Sequence, residues 1–238
     1  MMTRKLTLFI AMLAASAVLK AQTIADILSQ TNQALGTEVL EEKKTIQFDL
    51  IQKHQDGSQS VRVTAKGNNK IRADIQQESG QLSLIRNGSS YMMEVGFNTK
   101  EITSTQTKKN LNRQHLIKGL LKILDLDEGA TFEERTTEAG RNLVRIKSEE
   151  GNKKSILWID SETWLPVRHR EVVTRNNGKK KVTVTNFKGY ETVDGVTLPM
   201  RQNIKVTMPN GNEFDETYIL SNVELGIRVS NSFFTSRQ

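Results

Sequence analysis

The chain has 238 residues, a formal net charge of +7 and no cysteine. The lack of cysteine excludes disulfides and cysteine-ligated metals, and we expect no lipid anchor of the kind that bacterial lipoproteins attach through cysteine. Only 5% of the residues are aromatic, which argues against stacking platforms for nucleic-acid bases. Because the basic excess is mild and spread along the sequence, we expect no nucleic-acid partner.

The first 21 residues have the pattern of a cleavable signal peptide. Arg4 and Lys5 form a positive start, and the apolar run 6–19 that follows is shorter than the roughly 20 residues that span a bilayer. The small Ala21 predicts cleavage directly after it. Leu19 occupies the third position before that site, where a small residue is more usual. A permanent N-terminal anchor is the alternative.

Cleavage would leave residues 22–238 as one domain of an exported protein, which we expect to be periplasmic, monomeric and not lipid-anchored. It would also remove three positive charges, so that the net charge falls from +7 to about +4. Such a weakly basic protein could associate with anionic lipid headgroups.

The mature sequence opens with a predicted helix over Thr23 to Leu35. Apolar residues recur in it at helical spacing, Thr23 can cap its start, and Gly36 can end it. From Lys44 the apolar period changes to two, which predicts strands. Turn residues separate these strands, and Asn87-Gly88 is the strongest hairpin dipeptide among them. This part of the chain therefore predicts a meander of short antiparallel strands.

A second amphipathic helix is predicted over Gln114 to Leu126, after the polar and basic stretch 106–113. Its apolar stripe contains five residues, with lysines on the opposite side. The stripe consists of Leu116, Ile117, Leu120, Leu121 and Leu124.

After Gly129 the period of two returns and continues, with turn signals between the strands, to Leu220. The whole pattern predicts a mainly β protein of the α+β class, with an antiparallel sheet that is strongly curved or closed. Two helices cannot cover both faces of such a sheet, so we expect them on its concave face as a plug or lid.

Catalytic motifs are weak throughout. The three histidines, His54, His115 and His169, have no spacing that suggests a zinc site. The run Asp125 to Gly129 lacks the later ligands of a calcium loop. We therefore expect no catalytic residue, no metal and no cofactor. A hydrolase that uses a pair of carboxylates stays open, because acidic residues are abundant but none stands out.

The inward-facing strand residues predict an apolar, mostly aliphatic lining. Such a lining suits flexible acyl chains better than a planar cofactor. An ordinary hydrophobic core beneath the helices is the other interpretation of the same residues. The predicted lining consists of Ile46, Phe48, Leu50, Val61, Val63, Ile71, Ile75, Leu84, Met93 and Trp158 from the strands, with Leu116, Leu120 and Leu124 from the second helix.

Several stretches resemble the bacterial outer-membrane lipoprotein carrier and sorting family, called LolA-like. Residues 158–167 resemble its strand that turns at an Asp into an aromatic-Leu-Pro start, and residues 187–199 its later Asp-Gly-Val-x-Leu-Pro hairpin. Residues 69–74 and 85–91 fit its early strands, and residues 222–234 its closing segment, which ends on a Phe. The order of these elements agrees over essentially the whole mature chain.

The resemblance implies an incomplete antiparallel barrel with helices on its concave face and a non-catalytic role in carrying lipoprotein or lipid acyl chains. Membrane-anchored donor and acceptor proteins would be its partners in transport toward the outer membrane. Family carriers latch the helical lid through an arginine on an early strand, for which Arg72 is the nearest match and Arg62 the alternative. A module that senses envelope state or docks a protein on the same scaffold is the second hypothesis.

Overall fold

The computed structural model describes residues 23–77, 80–112, 116–117, 120–121 and 129–235. The predicted signal peptide, His115, Leu124 and residues 125–128 lie outside these ranges.

Helix α1, Ile24–Leu35, confirms the first predicted helix. The Thr23 hydroxyl accepts a hydrogen bond from the backbone N–H of Asp26, whose carboxylate accepts one from the backbone N–H of Thr23, so that a capping box closes its first turn. Two short helices were not predicted: α2, Thr37–Glu42, and α3, Thr105–Asn110, in the polar stretch before the second predicted helix. In the predicted range 114–126 the described residues 116–117 and 120–121 are helical.

Thirteen strands form the rest of the described fold. Those before the central helices are β1 Thr45–His54, β2 Gly57–Lys66, β3 Lys70–Gln77, β4 Gly80–Asn87, β5 Ser90–Val95 and β6 Asn98–Glu101. Those after them are β7 Thr131–Glu138, β8 Arg141–Glu150, β9 Lys153–Asp160, β10 Pro166–Thr174, β11 Lys180–Val193, β12 Val196–Thr207 and β13 Glu213–Leu225. The 3-10 helix Asn231–Phe234 follows the last strand.

All thirteen strands belong to one antiparallel sheet that does not close into a barrel. Chain neighbours pair within β1–β6 and within β7–β13, and the pairing of β1 with β13 joins the two runs. The sheet therefore ends at β6 on one side and at β7 on the other. The connection between these two edge strands carries α3 and the central helical residues. This arrangement confirms the predicted mainly β fold with a strongly curved antiparallel sheet.

The main hydrophobic core lies between one face of the sheet and the helices, and we call that face the concave face. Ile27, Leu35 and Leu40 from α1 and α2 share this core with strand residues such as Ile46 and Phe48. Burial decreases along β1 from Thr45 and Ile46, which are buried, to Lys53 and His54, which are exposed. The helices therefore cover the sheet best at the end where β1 begins.

The two ends of the sheet differ in what packs against them. Gly36, between α1 and α2, lies against Gly195 in the turn between β11 and β12, at what we call the proximal end. A Cβ atom on Gly36 would overlap the carbonyl oxygen of Gly195, and the φ of Gly36 is 66°. The distal end carries the turns after β1, β5, β8, β10 and β12.

The close approach at Gly36 predicts a large loss of stability on substitution. Gly36→Ala combines left-handed backbone strain with a steric overlap, and we expect it to lower the free energy of unfolding by about 2–5 kcal/mol. Gly88→Ala is the matched control, because Gly88 has a φ of 63° and open space around its Cβ position. It should lose only about 1–2 kcal/mol. Urea unfolding measures both, and equal losses would contradict tight packing at Gly36.

Candidate ligand-binding face

The structure brings the predicted lining residues together on the concave face, with Trp158 as the exception. Five of them are buried within the main core, and four are partly buried against it. The buried ones are Ile46, Phe48, Val61, Val63 and Ile71, and the partly buried ones are Leu50, Ile75, Leu84 and Met93. They form a continuous surface, because register places Met93 opposite Leu84 and Leu84 opposite Ala73. Ala73 is in turn opposite Val63, and Val63 is opposite Phe48.

Helical side chains cover this surface in the described part of the chain. Leu120 is 7% exposed and Leu121 only 1%, while Leu116 is partly buried against the same core. Ile102 and Leu111, on either side of α3, are buried there as well. The concave face is thus packed against the helices, and a ligand would reach it by replacing some of these side chains.

The prediction that Trp158 lines the concave face is wrong. Its neighbours Leu157 and Ile159 lie in the main core, whereas Trp158 packs with Leu143 and Ile156 in a separate cluster. Successive strand residues point to opposite faces, so this cluster lies on the outer face. The guanidinium groups of Arg145 and Arg168 are centred 5.2 and 5.3 Å from the indole ring, which is shielded from water by stacked cations.

A cavity of about 1140 Å³ opens mainly on the outer face, where Arg141, Leu143, Asp160 and Arg168 are among its lining residues. Charges of both signs surround it, which does not suit an acyl chain.

The prediction that Arg72 latches the helical lid is also wrong. Arg72 is only 6% exposed, and its neighbour Ile71 faces the core, so Arg72 points to the outer face. Its guanidinium donates to Asp74 Oδ1 at 2.8 Å and to Glu94 Oε2 at 3.3 Å. It also lies 5.4 Å from the ring centroid of Phe233 in the C-terminal 3-10 helix. Arg72 therefore anchors the 3-10 helix Asn231–Phe234 to the outside of β3 and β4.

The alternative latch, Arg62, faces outward too, between the inward residues Val61 and Val63. It makes a two-pronged ion pair with Asp49, with distances of 2.7 and 2.9 Å. This guanidinium holds the pKa of the Asp49 carboxyl below its usual range. Both partners are on strands, so the pair connects β1 to β2 and does not touch the helices.

In the described part of the chain, Arg86 on β4 contacts the helical connection, a role that was not predicted for it. It points to the concave face, opposite Ile71, and its Nη1 donates to the carbonyl oxygen of Leu111 at 3.2 Å. The ring of Tyr91 lies between Arg86 and Lys108 of α3, at 5.3 and 5.4 Å from the two cations. The signal was present in the sequence, because Arg86 is two residues from the inward-facing Leu84.

A second side chain of the sheet holds the same connection from the other half of the sheet. Gln202 on β12 is 2% exposed, and its Nε2 donates to the carbonyl oxygen of Leu120 at 3.1 Å. Arg86 and Gln202 thus hold two points of the connection to strands on opposite sides of the β1–β13 pairing.

The concave face is polar over part of the second half of the sheet. His169 and Thr185 are opposite each other and 2% exposed, and Ser155 is equally buried nearby. Toward the distal end, burial raises the pKa of Tyr218 to about 12, with Glu216 adding to the shift. The phenol therefore stays protonated and donates to Glu216 Oε2 at 3.0 Å. A ligand on this face would meet apolar strands on one side and polar groups on the other.

In the described ranges, no group of three or more His, Asp or Glu residues is placed to hold a metal ion. None of the helices there combines the length and apolarity that crossing a membrane requires.

The architecture is similar to that of two solved structures. A LolA superfamily protein from Nitrosomonas europaea matches with a TM-score of 0.57 and 12% sequence identity, over 91% of this chain and 99% of that chain. A DUF1329 family protein from Desulfovibrio piger matches with a TM-score of 0.54 and 12% identity, over 87% of this chain and 96% of that chain. No protein-family model and no curated protein matches the sequence. The two structural matches show that the chain has a LolA-like fold.

The buried position of Arg72 predicts a structural role that substitution will expose. Arg72→Met removes the buried guanidinium that pairs with Asp74 and with the buried Glu94 carboxylate, so we expect a loss of about 3–5 kcal/mol in the free energy of unfolding. In the control Arg62→Met, the lost ion pair involves an arginine side chain that is 56% exposed, and about 0–1 kcal/mol should be lost. Thermal and urea unfolding measure both. Similar losses would refute the anchoring role.

Proposed function

We propose that this protein is an exported, periplasmic, non-catalytic carrier that binds acyl chains of lipoproteins or lipids on the concave face for transport toward the outer membrane. The observation that carries the proposal is the continuous apolar concave face, which in the described part of the chain is covered by α1, α2 and the helical connection and not by another layer of strands. The predicted signal peptide supports the location, and the LolA-like fold supports a scaffold of this shape.

The side chains on the concave face match the chemistry of an acyl chain. They are aliphatic for the most part, with the flexible Met93 among those that are partly buried. Flexible apolar side chains can adapt to a chain of methylene groups without directional contacts. Leu50, Ile75 and Leu84 are partly buried as well, so the cover is thinnest where a ligand would enter.

Exchange of the helical cover for an acyl chain is close to balanced in energy. Burial of ten methylene groups releases about 8 kcal/mol, roughly the amount released by burying three to five aliphatic side chains. Ile102, Leu111, Ile117, Leu120 and Leu121 are the large buried aliphatic residues in the described part of the connection. An acyl chain can therefore replace them on the concave face without a large change in free energy.

Arg86 and Gln202 are the proposed latches of the cover. Each donates one hydrogen bond to a carbonyl oxygen of the connection, and a bond of this kind contributes about 0.5–1.5 kcal/mol net. Such bonds are strong enough to favour the closed arrangement and weak enough to break when a ligand binds. Arg86 takes the role that the family resemblance gave to Arg72.

Native mass spectrometry of the purified protein, followed by organic extraction, tests the proposal directly. We expect a bound acyl-containing lipid or, in delipidated protein, saturable uptake of a fluorescent fatty acid. If the protein holds no lipid and takes up no fatty acid, it is not a carrier, and the same scaffold then acts by docking a protein. Turnover of an ester or glycan substrate, abolished by changing a carboxylate, would instead identify a hydrolase.

Adjacent methionines on opposite faces of β5 provide a matched test of where the acyl chain binds. Met93 faces the concave side and Met92 the outer side, and both are half-buried. We expect Met93→Glu to weaken fatty-acid binding at least about tenfold, because it places a charge on the apolar surface. Met92→Glu should leave binding nearly unchanged. Fluorescence titration measures both, and equal effects would place the ligand elsewhere.

Weakening a latch should speed the opening of the cover. We expect Arg86→Met to increase the rate of fatty-acid uptake by about fivefold, since one hydrogen bond of about 1 kcal/mol is lost in the closed form. Arg62→Met is the control, because Arg62 pairs with Asp49 on the outer face. Stopped-flow fluorescence measures the rates. An unchanged rate in Arg86→Met, with uptake intact in both variants, would rule out the latch.

A further inference from the structure

The exposed large hydrophobic residues of the described chain all lie at the distal end of the sheet. Phe97 is fully exposed, and Val95, Phe132 and Phe214 are 41–51% exposed. Phe97 is in the turn between β5 and β6, and Val95 is the last residue of β5. Phe132 and Phe214 are each the second residue of a strand, β7 and β13 respectively. No large apolar side chain described at the proximal end is similarly exposed.

Three of these side chains border the mouth of the concave face. Val95 is opposite Leu82, and Phe132 is opposite Ile146, which lies in the main core. Phe214 and the buried Leu220 are six residues apart on β13, so their side chains point to the same face of the sheet. Register therefore places Val95, Phe132 and Phe214 on the concave side of the distal rim, with Phe97 at the tip of a neighbouring turn.

The same end carries a compact positive charge. The turn between β10 and β11, with the first residues of β11, contains Arg175, Lys179, Lys180 and Lys181 and no acidic residue. Within the described ranges, no carboxylate forms an ion pair with any of the four. Arg175, Lys179 and Lys180 are exposed. Their charge is therefore available to a partner.

Several carboxylates near this end are already neutralised. Glu149 lies 2.7 Å from the ammonium group of Lys147 and 3.1 Å from that of Lys154. Glu213 lies 2.7 Å from the ammonium group of Lys205. These pairs offset part of the negative charge of the distal end, where Asp56, Glu150 and Asp215 are exposed as well. The β10–β11 turn itself carries four positive charges and no acidic residue.

We infer that the distal rim docks on the surface of a bilayer that contains anionic lipids. Exposed aromatic and aliphatic side chains enter the boundary between headgroups and acyl chains, and neighbouring Lys and Arg residues contact the phosphates. The separation of the rim from the packed proximal end gives the docked protein one orientation, with the mouth of the concave face toward the lipid. The inference does not require that cargo is bound.

Vesicle flotation with the full mature chain tests the inference. The vesicles are phosphatidylcholine with or without phosphatidylglycerol, at low and at high salt. We expect binding to the anionic vesicles that weakens with salt. The triple variant Arg175→Gln/Lys179→Gln/Lys180→Gln should lose on the order of a hundredfold in partitioning. Phe97→Ser should lower partitioning about tenfold, whereas Phe97→Leu should keep most of it because leucine is also apolar.

The matched control removes the same charge from the opposite half. Lys44, Lys188 and Arg228 are exposed residues toward the proximal end, and their triple change to Gln should leave partitioning nearly unaltered. Equal losses in the two triple variants would mean that only net charge matters, and the inference would fail. It would also fail if the unaltered protein bound neither kind of vesicle. Fatty-acid uptake, measured in parallel, separates these outcomes from failure of the carrier proposal.

Discussion

The pairing of the first strand with the last determines the shape of this protein. Without the β1–β13 ladder, β1–β6 and β7–β13 would be two separate meanders, each with two free edges. The ladder joins them into one open sheet whose edge strands are β6 and β7. The connection from β6 to β7 must therefore start at one edge of the sheet and end at the other. The same ladder fixes the register that places Leu220 beside Leu50 on the concave face, so the lining of that face depends on it as well.

A cover made from a connection has properties that a second layer of strands would lack. Its described residues are held by apolar packing and by side-chain hydrogen bonds such as those of Arg86 and Gln202, and neither requires a change in the sheet when it is broken. By contrast, α1 and α2 are fixed at the proximal end by the contact of Gly36 with Gly195. The close approach of Gly36 to Gly195 therefore fixes α1 and α2 over the proximal end, and the exchange that we propose concerns the cover of the remainder.

The sequence predicts the parts of this fold that depend on local chemistry. Thr23 and Gly36 delimit α1, and a hairpin forms at the expected place, although its turn residues are Gly88 and Ser89 and Asn87 pairs with Ser90. Period-two alternation also identifies the inward side of β1 and β2. It cannot do so for β9, which is apolar on both faces, and for this reason the face of Trp158 was predicted wrongly. The wrong prediction for Arg72 has a different cause. Alternation with Ile71 indicates that Arg72 points outward, but the role of lid latch was assigned to it from the family resemblance. The burial of His169 depends on what covers the sheet and has no local signature.

We propose that an acyl chain replaces the helical connection on the concave face, and a distance measurement can detect this displacement. Because the chain has no cysteine, pairs of introduced cysteines can carry spin labels without background. Labels at Lys109, after the middle of α3, and at Arg170, on the outside of β10, report the connection against the sheet, and labels at Gln81 and Arg170 report the sheet alone. Addition of a fatty acid should lengthen or broaden the first distance and leave the second unchanged. Saturable binding with both distances unaltered would show that the ligand binds without displacing the connection.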